Sequence, residues 1–276
     1  MKLTLTVNSK SYRIEIDNPI DISIPLNFNG EQPNHFGVAP AVSETLETAD
    51  FIGDTFRGGS CNVESYRLIP HCNGTHTECA GHISNEQISI QKILKDCLIP
   101  SSLITVEPVS AFDTKEEYLP LKEENDFVIT RSSLKTALKK IPTDFLRGLI
   151  IRTLPNENSK TSRNYLDQPP PFFSLDAMRF ICELPVQHLM VDLPSVDKVF
   201  DEGQLNAHHT FWNIPPHSHH SDANTRIEKT ITEMIYIEDT IPDGSYLTNI
   251  QIPNFIADAA PSRVFLYSVE DLPSNI

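Results

Sequence analysis

The chain has 276 residues, 39% hydrophobic and 21% charged, an ordinary composition for a soluble globular protein and enough for one large α/β or α+β domain. Its 22 basic against 37 acidic side chains give a formal charge of −15, which argues against DNA, RNA or anionic membrane as a partner, because a phosphate-facing surface needs a basic patch. No stretch approaches the ~20 apolar residues of a membrane span. The five scattered cysteines do not make a disulfide framework, so a reducing cytoplasm is the expected compartment.

Leu3–Val7 and Tyr12–Ile16 alternate polar and apolar residues around Asn8-Ser9-Lys10-Ser11, predicting a β-hairpin over about residues 1–17 rather than a signal peptide. Residues 27–60 are rich in Asn, Gly, Pro and Thr and read as a long irregular segment of the kind that carries function. Ile88 to Ile99 has helical spacing, and Leu103–Val106 reads as a strand. Ser132 to Ile141 reads as a Ser-capped helix and Gly148–Thr153 as a buried strand. A helix opens at Ser174, and His188–Asp192 is another buried strand. Strands follow at Met234–Ile237, Ser245–Ile250 and Arg263–Tyr267. With no repeat and no clear linker, one mixed α/β domain is the simplest organisation.

The chemistry concentrates in His71-Cys72-Asn73-Gly74-Thr75-His76-Thr77-Glu78-Cys79-Ala80-Gly81-His82. His76 and Glu78 are two apart, so on a strand both leave one face. A turn at Asn73-Gly74-Thr75 lets His71 or Cys72 fold back towards them. Imidazole, thiolate and carboxylate suit zinc, and imidazole with carboxylate also suits manganese. His82 follows closely enough to serve as a general acid/base without binding the metal. Further ligands are sought at His208 or His209 and at Glu233, whose apolar neighbours make an unpaired carboxylate costly to bury. His217, His219 and His220 read as a solvated loop, and Cys61, Cys97 and Cys182 as core filling. No Walker, Rossmann or Gly-x-Ser-x-Gly pattern is present.

These residues resemble the signature of the cyclase-like metal hydrolases, a family that includes bacterial kynurenine formamidase and isatin hydrolase. Asp21-Ile22-Ser23-Ile24-Pro25-Leu26, Asp192-Leu193-Pro194-Ser195-Val196-Asp197, Ala207-His208-His209, Glu233 with Pro242–Tyr246, and Ala260-Pro261-Ser262-Arg263 resemble further family blocks in the family's order. The resemblance implies a single mixed α/β domain over residues 1–276, of the β/β/α swivelling type, usually a homodimer. It implies His76 and Glu78 as ligands, Glu78 shared between two metals, His208 on the second metal, Glu233 bridging, and His82 as the catalytic residue. One or two divalent ions, zinc ahead of manganese, would be bound. The implied reaction is hydrolysis of a small amide by metal-bound hydroxide: N-formylkynurenine or another aryl formamide first, as in tryptophan catabolism, then a cyclic amide.

The sequence departs from the family pattern at three places. Cys72 stands where the family has its first ligand histidine, with His71 one position off as its substitute. Glu78 replaces an Asp, and Cys79-Ala80 replaces Ala-Pro. An insert near 210–230 carries the extra histidines. The competing expectations are an inactive family member that binds a small molecule or metal, and a structural zinc module.

Overall fold

A computed structural model describes residues 1–272 of the chain. Its centre is a mixed sheet of 11 strands. In chain order these are β1 (Lys2–Val7), β2 (Lys10–Glu15), β3 (Ile20–Asp21), β4 (His76–Cys79), β5 (Ile99–Val106) and β6 (Gly148–Thr153). They continue with β7 (His188–Val191), β8 (Thr230–Glu233), β9 (Gly244–Gln251), β10 (Ala259–Pro261) and β11 (Arg263–Asp271). The spatial order is β1-β2-β11-β9-β5-β6-β7-β8-β4-β10, with β3 on β11. β5 to β8 run parallel, while β4 is antiparallel to both its neighbours, β8 and β10.

The parallel strands are buried on both faces and so read as continuous apolar runs. Their alternation assigns the faces. Ile104, Leu149, Ile151, Leu189 and Val191 pack under the helices, with Leu134, Met178, Ile181, Phe211 and Trp212. Leu103, Ile150 and Met190 face the other way, onto Ile22, Ile235, Ile237, Val264 and Leu266. Each such side chain contributes roughly 1.5–3 kcal/mol by leaving water. The helices are few and short: one-turn α1 (Pro70–Asn73) and α2 (Ile90–Ile93), then α3 (Arg131–Leu138), α4 (Leu175–Glu183) and α5 (Asn206–Trp212). Ser174 caps α4 by accepting from the Ala177 N–H.

Several local expectations need correction. The helix expected over 88–99 is only the single turn of α2, which Leu94 leaves with extended backbone. Ile99, which precedes Pro100, is steered to β geometry and opens β5. The cap of α3 is Thr130, in a capping box with Ser133. The strand expected at Met234–Ile237 lies earlier, at Thr230–Glu233, because Met234 turns left-handed at φ 53°. Cys61 and Cys97 are exposed, whereas Cys182 packs half-buried against the core as expected, and Cys72 and Cys79 are buried.

Candidate metal centre

β4 lies between β8 and β10 with all four of its residues buried. Register places His76 opposite Glu233 and Glu78 opposite Ile231. Ile231 belongs to the core under the helices, so His76, Glu78 and Glu233 face that side, where α5 brings in His208. His208 Nε2 is 2.9 Å from Glu78 Oε1 and 3.7 Å from Glu233 Oε1. His76 Nε2 is 3.4 Å from Glu233 Oε2. From the one-turn α1, His71 places Nδ1 3.1 Å from Glu78 Oε2, and from beyond β4, His82 Nδ1 stands 3.8 Å from the same oxygen. Four imidazoles thus surround one carboxylate that is 1% exposed.

Three overlapping sets of potential ligands result: His71, His76 and Glu78; Glu78, His82 and His208; and His71, His82 and Asp258, each within 4.8 Å. The proton positions can be read from the acceptors. His76 Nδ1 is 3.0 Å from the Gly74 carbonyl, which can only accept, so Nδ1 carries a proton and, in the neutral ring, Nε2 a lone pair. That lone pair is buried, faces a carboxylate and has no hydrogen-bond partner; nor does Glu78 Oε2, since His71 lies off hydrogen-bond geometry. A buried lone pair against a buried carboxylate is repulsive, and a cation between them removes the penalty. The donor set therefore fits a divalent metal.

Second contacts orient the first. Asp197 is fully buried on the loop after β7, and its Oδ2 accepts from His208 Nδ1, leaving Nε2 turned to the cluster. The same carboxylate accepts from Tyr118 Oη at 2.6 Å and from the Ala207 and His208 backbone N–H groups at 2.6 and 3.1 Å. It therefore caps α5, whose own preceding residue, Leu205, supplies no capping side chain. Glu233 Oε1 accepts from the Val196 N–H at 2.9 Å, tying the same loop to β8.

The charges follow from these contacts. Burial pulls the His71 imidazole down, but Asp258 and Glu78 beside it overcome that and raise it to about 10. Burial likewise opposes charge on His208, yet Glu78 and Asp197 hold it well above the ordinary range. Burial favours protonated Glu78, but the charges of His82 and His208, together with the contacts from His208 and His71, hold its carboxyl well below normal. Asp258 is held low by the hydrogen bond from His71 and by His82 3.5 Å away.

With this geometry in view, the relatives can be compared. The family described as "Putative cyclase" matches residues 20–198, more than half of the chain. The chain belongs to the cyclase family. Kynurenine formamidase of Bacillus anthracis is 25% identical over 246 residues, covering 89% of this chain and 94% of that protein. The kynurenine formamidase of Bacillus thuringiensis (strain Al Hakam) is equally similar, 25% identical over 251 residues. Among solved structures, an isatin hydrolase bound to the product analogue thioisatinate has TM-score 0.61 at 13% identity, covering 92% of this chain and 93% of that one. A metal-dependent hydrolase from Bacillus stearothermophilus, described as predicted, has TM-score 0.59 at 17% identity, covering 91% and 98%. These two likenesses establish the mixed α/β cyclase fold.

Within this family fold the structure sorts the expected site residues. It brings together His71, His76, Glu78, His82, His208 and Glu233. It does not bring in Cys72, which is absent from all three ligand sets. Burial, with the charge of Glu233, pushes the Cys72 thiol up to about 11. His209 turns away and its Nδ1 donates to the Ile214 carbonyl at 3.1 Å. His217, His219 and His220 are exposed. His219 nevertheless docks the insert beside the site, donating from Nδ1 to the Ile83 carbonyl at 2.9 Å. Sequence reasoning missed Asp258, the orienting role of Asp197, and His35. The His35 ring is 2% exposed with neither nitrogen partnered, and its backbone N–H donates to the Cys72 carbonyl. Only Asp197 carried a signal, inside the Asp-x-Pro-Ser-x-Asp block.

Proposed function

We propose that this protein is a metal-dependent hydrolase of a small amide, with an aryl formamide such as N-formylkynurenine as the first substrate and a cyclic amide as the second. The observation that carries the reading is the pair of unpartnered buried atoms, His76 Nε2 and Glu78 Oε2, inside a ring of imidazoles and carboxylates. The formamidase relatives, which align over 89% of this chain, support the choice of substrate. His76, Glu78, His208 and Glu233 would hold one or two divalent ions, with His71 in the place expected of Cys72. Imidazole with carboxylate suits zinc and manganese alike. A divalent ion so bound supplies Lewis acidity towards water and a carbonyl oxygen.

The chain's own residues do the rest. Glu78 and Glu233 balance the positive charge, and Asp197 fixes the tautomer of His208. His82, half-buried at the open side of the cluster, carries a proton to the leaving nitrogen. We further propose one domain, a homodimer and a cytoplasmic location, with N-formylkynurenine turnover placing the chain in tryptophan catabolism.

Two measurements test this reading on purified protein. Elemental analysis should find one or two equivalents of zinc or manganese, and the loaded protein should hydrolyse members of a panel of aryl formamides and cyclic amides. Loaded protein that turns over nothing on the panel refutes the hydrolase reading. Light scattering gives the mass that tests the dimer.

A further inference from the structure

Asp258 is the one carboxylate at the cluster that neither the family signature nor the ligand assignment above uses. Its Oδ2 lies 2.9 Å from His71 Nε2 and 3.5 Å from His82 Nδ1. At 39% side-chain exposure it sits on the open side of the site, whereas Glu78 is sealed beneath it.

Its position is built rather than incidental. The Asp258 carbonyl accepts from the Cys79 N–H at 3.0 Å, and Cys79 Sγ donates to it at 3.3 Å. One residue earlier, the Ala257 carbonyl accepts from the Ile90 N–H at 2.8 Å. One residue later, Ala259 pairs with Glu78 across β10 and β4. Gly81 makes room for this clamp: a Cβ there would lie 2.2 Å from the Ile88 carbonyl oxygen and 3.2 Å from Asp258 Cβ. The backbone around Asp258 is thus pinned to α2 on one side and, at Asp258 and beyond, to the strand that leads into His82.

We propose that Asp258 is the positioning residue for His82, holding its Nδ1–H so that Nε2 faces the reacting nitrogen. This rests on the hydrolase reading and deepens it. Two carboxylates are within reach of His82 Nδ1, Glu78 at 3.8 Å and Asp258 at 3.5 Å. Glu78 already receives His208 and offers its free oxygen to a cation, so Asp258 is the acceptor left for His82. A carboxylate on one ring nitrogen fixes the tautomer. In the transfer, Nε2–H of the His82 imidazolium is given to the leaving nitrogen as the carbonyl C–N bond breaks. The bond's electron pair goes to that nitrogen, the ring becomes neutral, and the Nδ1 proton stays on Nδ1 throughout. The second contact, to His71 Nε2, turns His71 Nδ1 towards Glu78 in the same way.

The test compares Asp258→Asn and Asp258→Glu with the parent, all metal-loaded. On aryl formamides whose anilines differ in basicity, Asp258→Asn should lose about 10²-fold in kcat or more, with KM changed little and metal content unchanged. The loss should be steepest for the most basic leaving anilines, and Asp258→Glu should recover part of it. Independently of turnover, the zinc-loaded protein labelled with 15N-histidine should show a hydrogen-bonded Nδ1–H signal, assigned to His82 by its disappearance in His82→Ala. That signal should shift or vanish in Asp258→Asn and persist in Asp258→Glu. An unmoved signal overturns the proposal. So does a kcat within a few-fold of the parent, or a loss of activity that only tracks lost metal. A parent protein with no turnover counts against the hydrolase reading alone, and the ring signal then still decides the role of Asp258.

Discussion

Replacing Asp197 by Asn tests whether the centre depends on a carboxylate two contacts away from any substrate. Oδ1 accepts from Tyr118 Oη and the Ala207 N–H, and Oδ2 accepts from the His208 N–H and His208 Nδ1. An amide keeps only one acceptor oxygen, so either side-chain rotamer leaves two buried donors facing an NH2 group. At roughly 1–3 kcal/mol for each unsatisfied donor, the variant should lose about 2–6 kcal/mol of stability, read as a urea midpoint lowered by about 1–2 M. The same swap removes the acceptor that keeps the His208 proton on Nδ1, so the ring's Nε2 is no longer assured a free lone pair. Metal affinity should fall by about 10–100-fold. Tyr118→Phe is the control. It leaves Oδ2 and His208 untouched but strips the Lys198 N–H of its acceptor, so it should cost about 1–2 kcal/mol with metal affinity unchanged. Urea unfolding and competitive titration with a zinc chelator give both numbers. Asp197→Asn with the parent's midpoint and affinity refutes the account.

Three further outcomes follow from the same geometry. His71→Ala should purify with less metal or bind it about 10-fold or more weakly, while Cys72→Ala should retain its content by elemental analysis; the reverse result would restore Cys72 as the ligand. Their carboxylates raise His71 to about 10 and hold His208 well above its ordinary range, so a cation that takes the His71 lone pair must displace a proton. Calorimetry in buffers of different ionisation enthalpy should show at least about one proton released per ion at pH 7, with affinity weakening as pH falls; no release would contradict the arrangement. His35 is lowered to about 4, chiefly by burial. Its contribution to stability is complete above its unfolded value near 6.5 and is lost as pH falls towards 4, an amount of about 3 kcal/mol. His35→Gln should lack that part of the acid limb, and parallel pH–stability curves for the two proteins would rule the effect out.

What the sequence revealed depended on whether a regular element carried the residues. His76 and Glu78 share a face because β4 is extended, so their spacing of two maps directly onto space. Glu233 could have been a buried ligand or an exposed edge residue. Pairing of β8 with β4 decides for burial at 3% exposure, and no local pattern contains that pairing. Asp258 was illegible for the same reason, since only the β10–β4 register brings it to His82. Asp197 stood in a readable block, yet its work as the cap of α5 joins residues of different segments.

Cys72 shows the limit most clearly, because counting back four residues from His76 assumes a fixed path for the chain. Pro70–Asn73 instead forms one helical turn, in which successive side chains point about 100° apart. A shift of one position along the sequence therefore selects a different direction, and here it directs His71 at Glu78 while Cys72 packs inward. The turn that displaces the motif by one residue also brings a different imidazole to within 3.1 Å of Glu78. Where the family pattern has a histidine, an imidazole therefore still lies beside Glu78, one residue earlier in the chain.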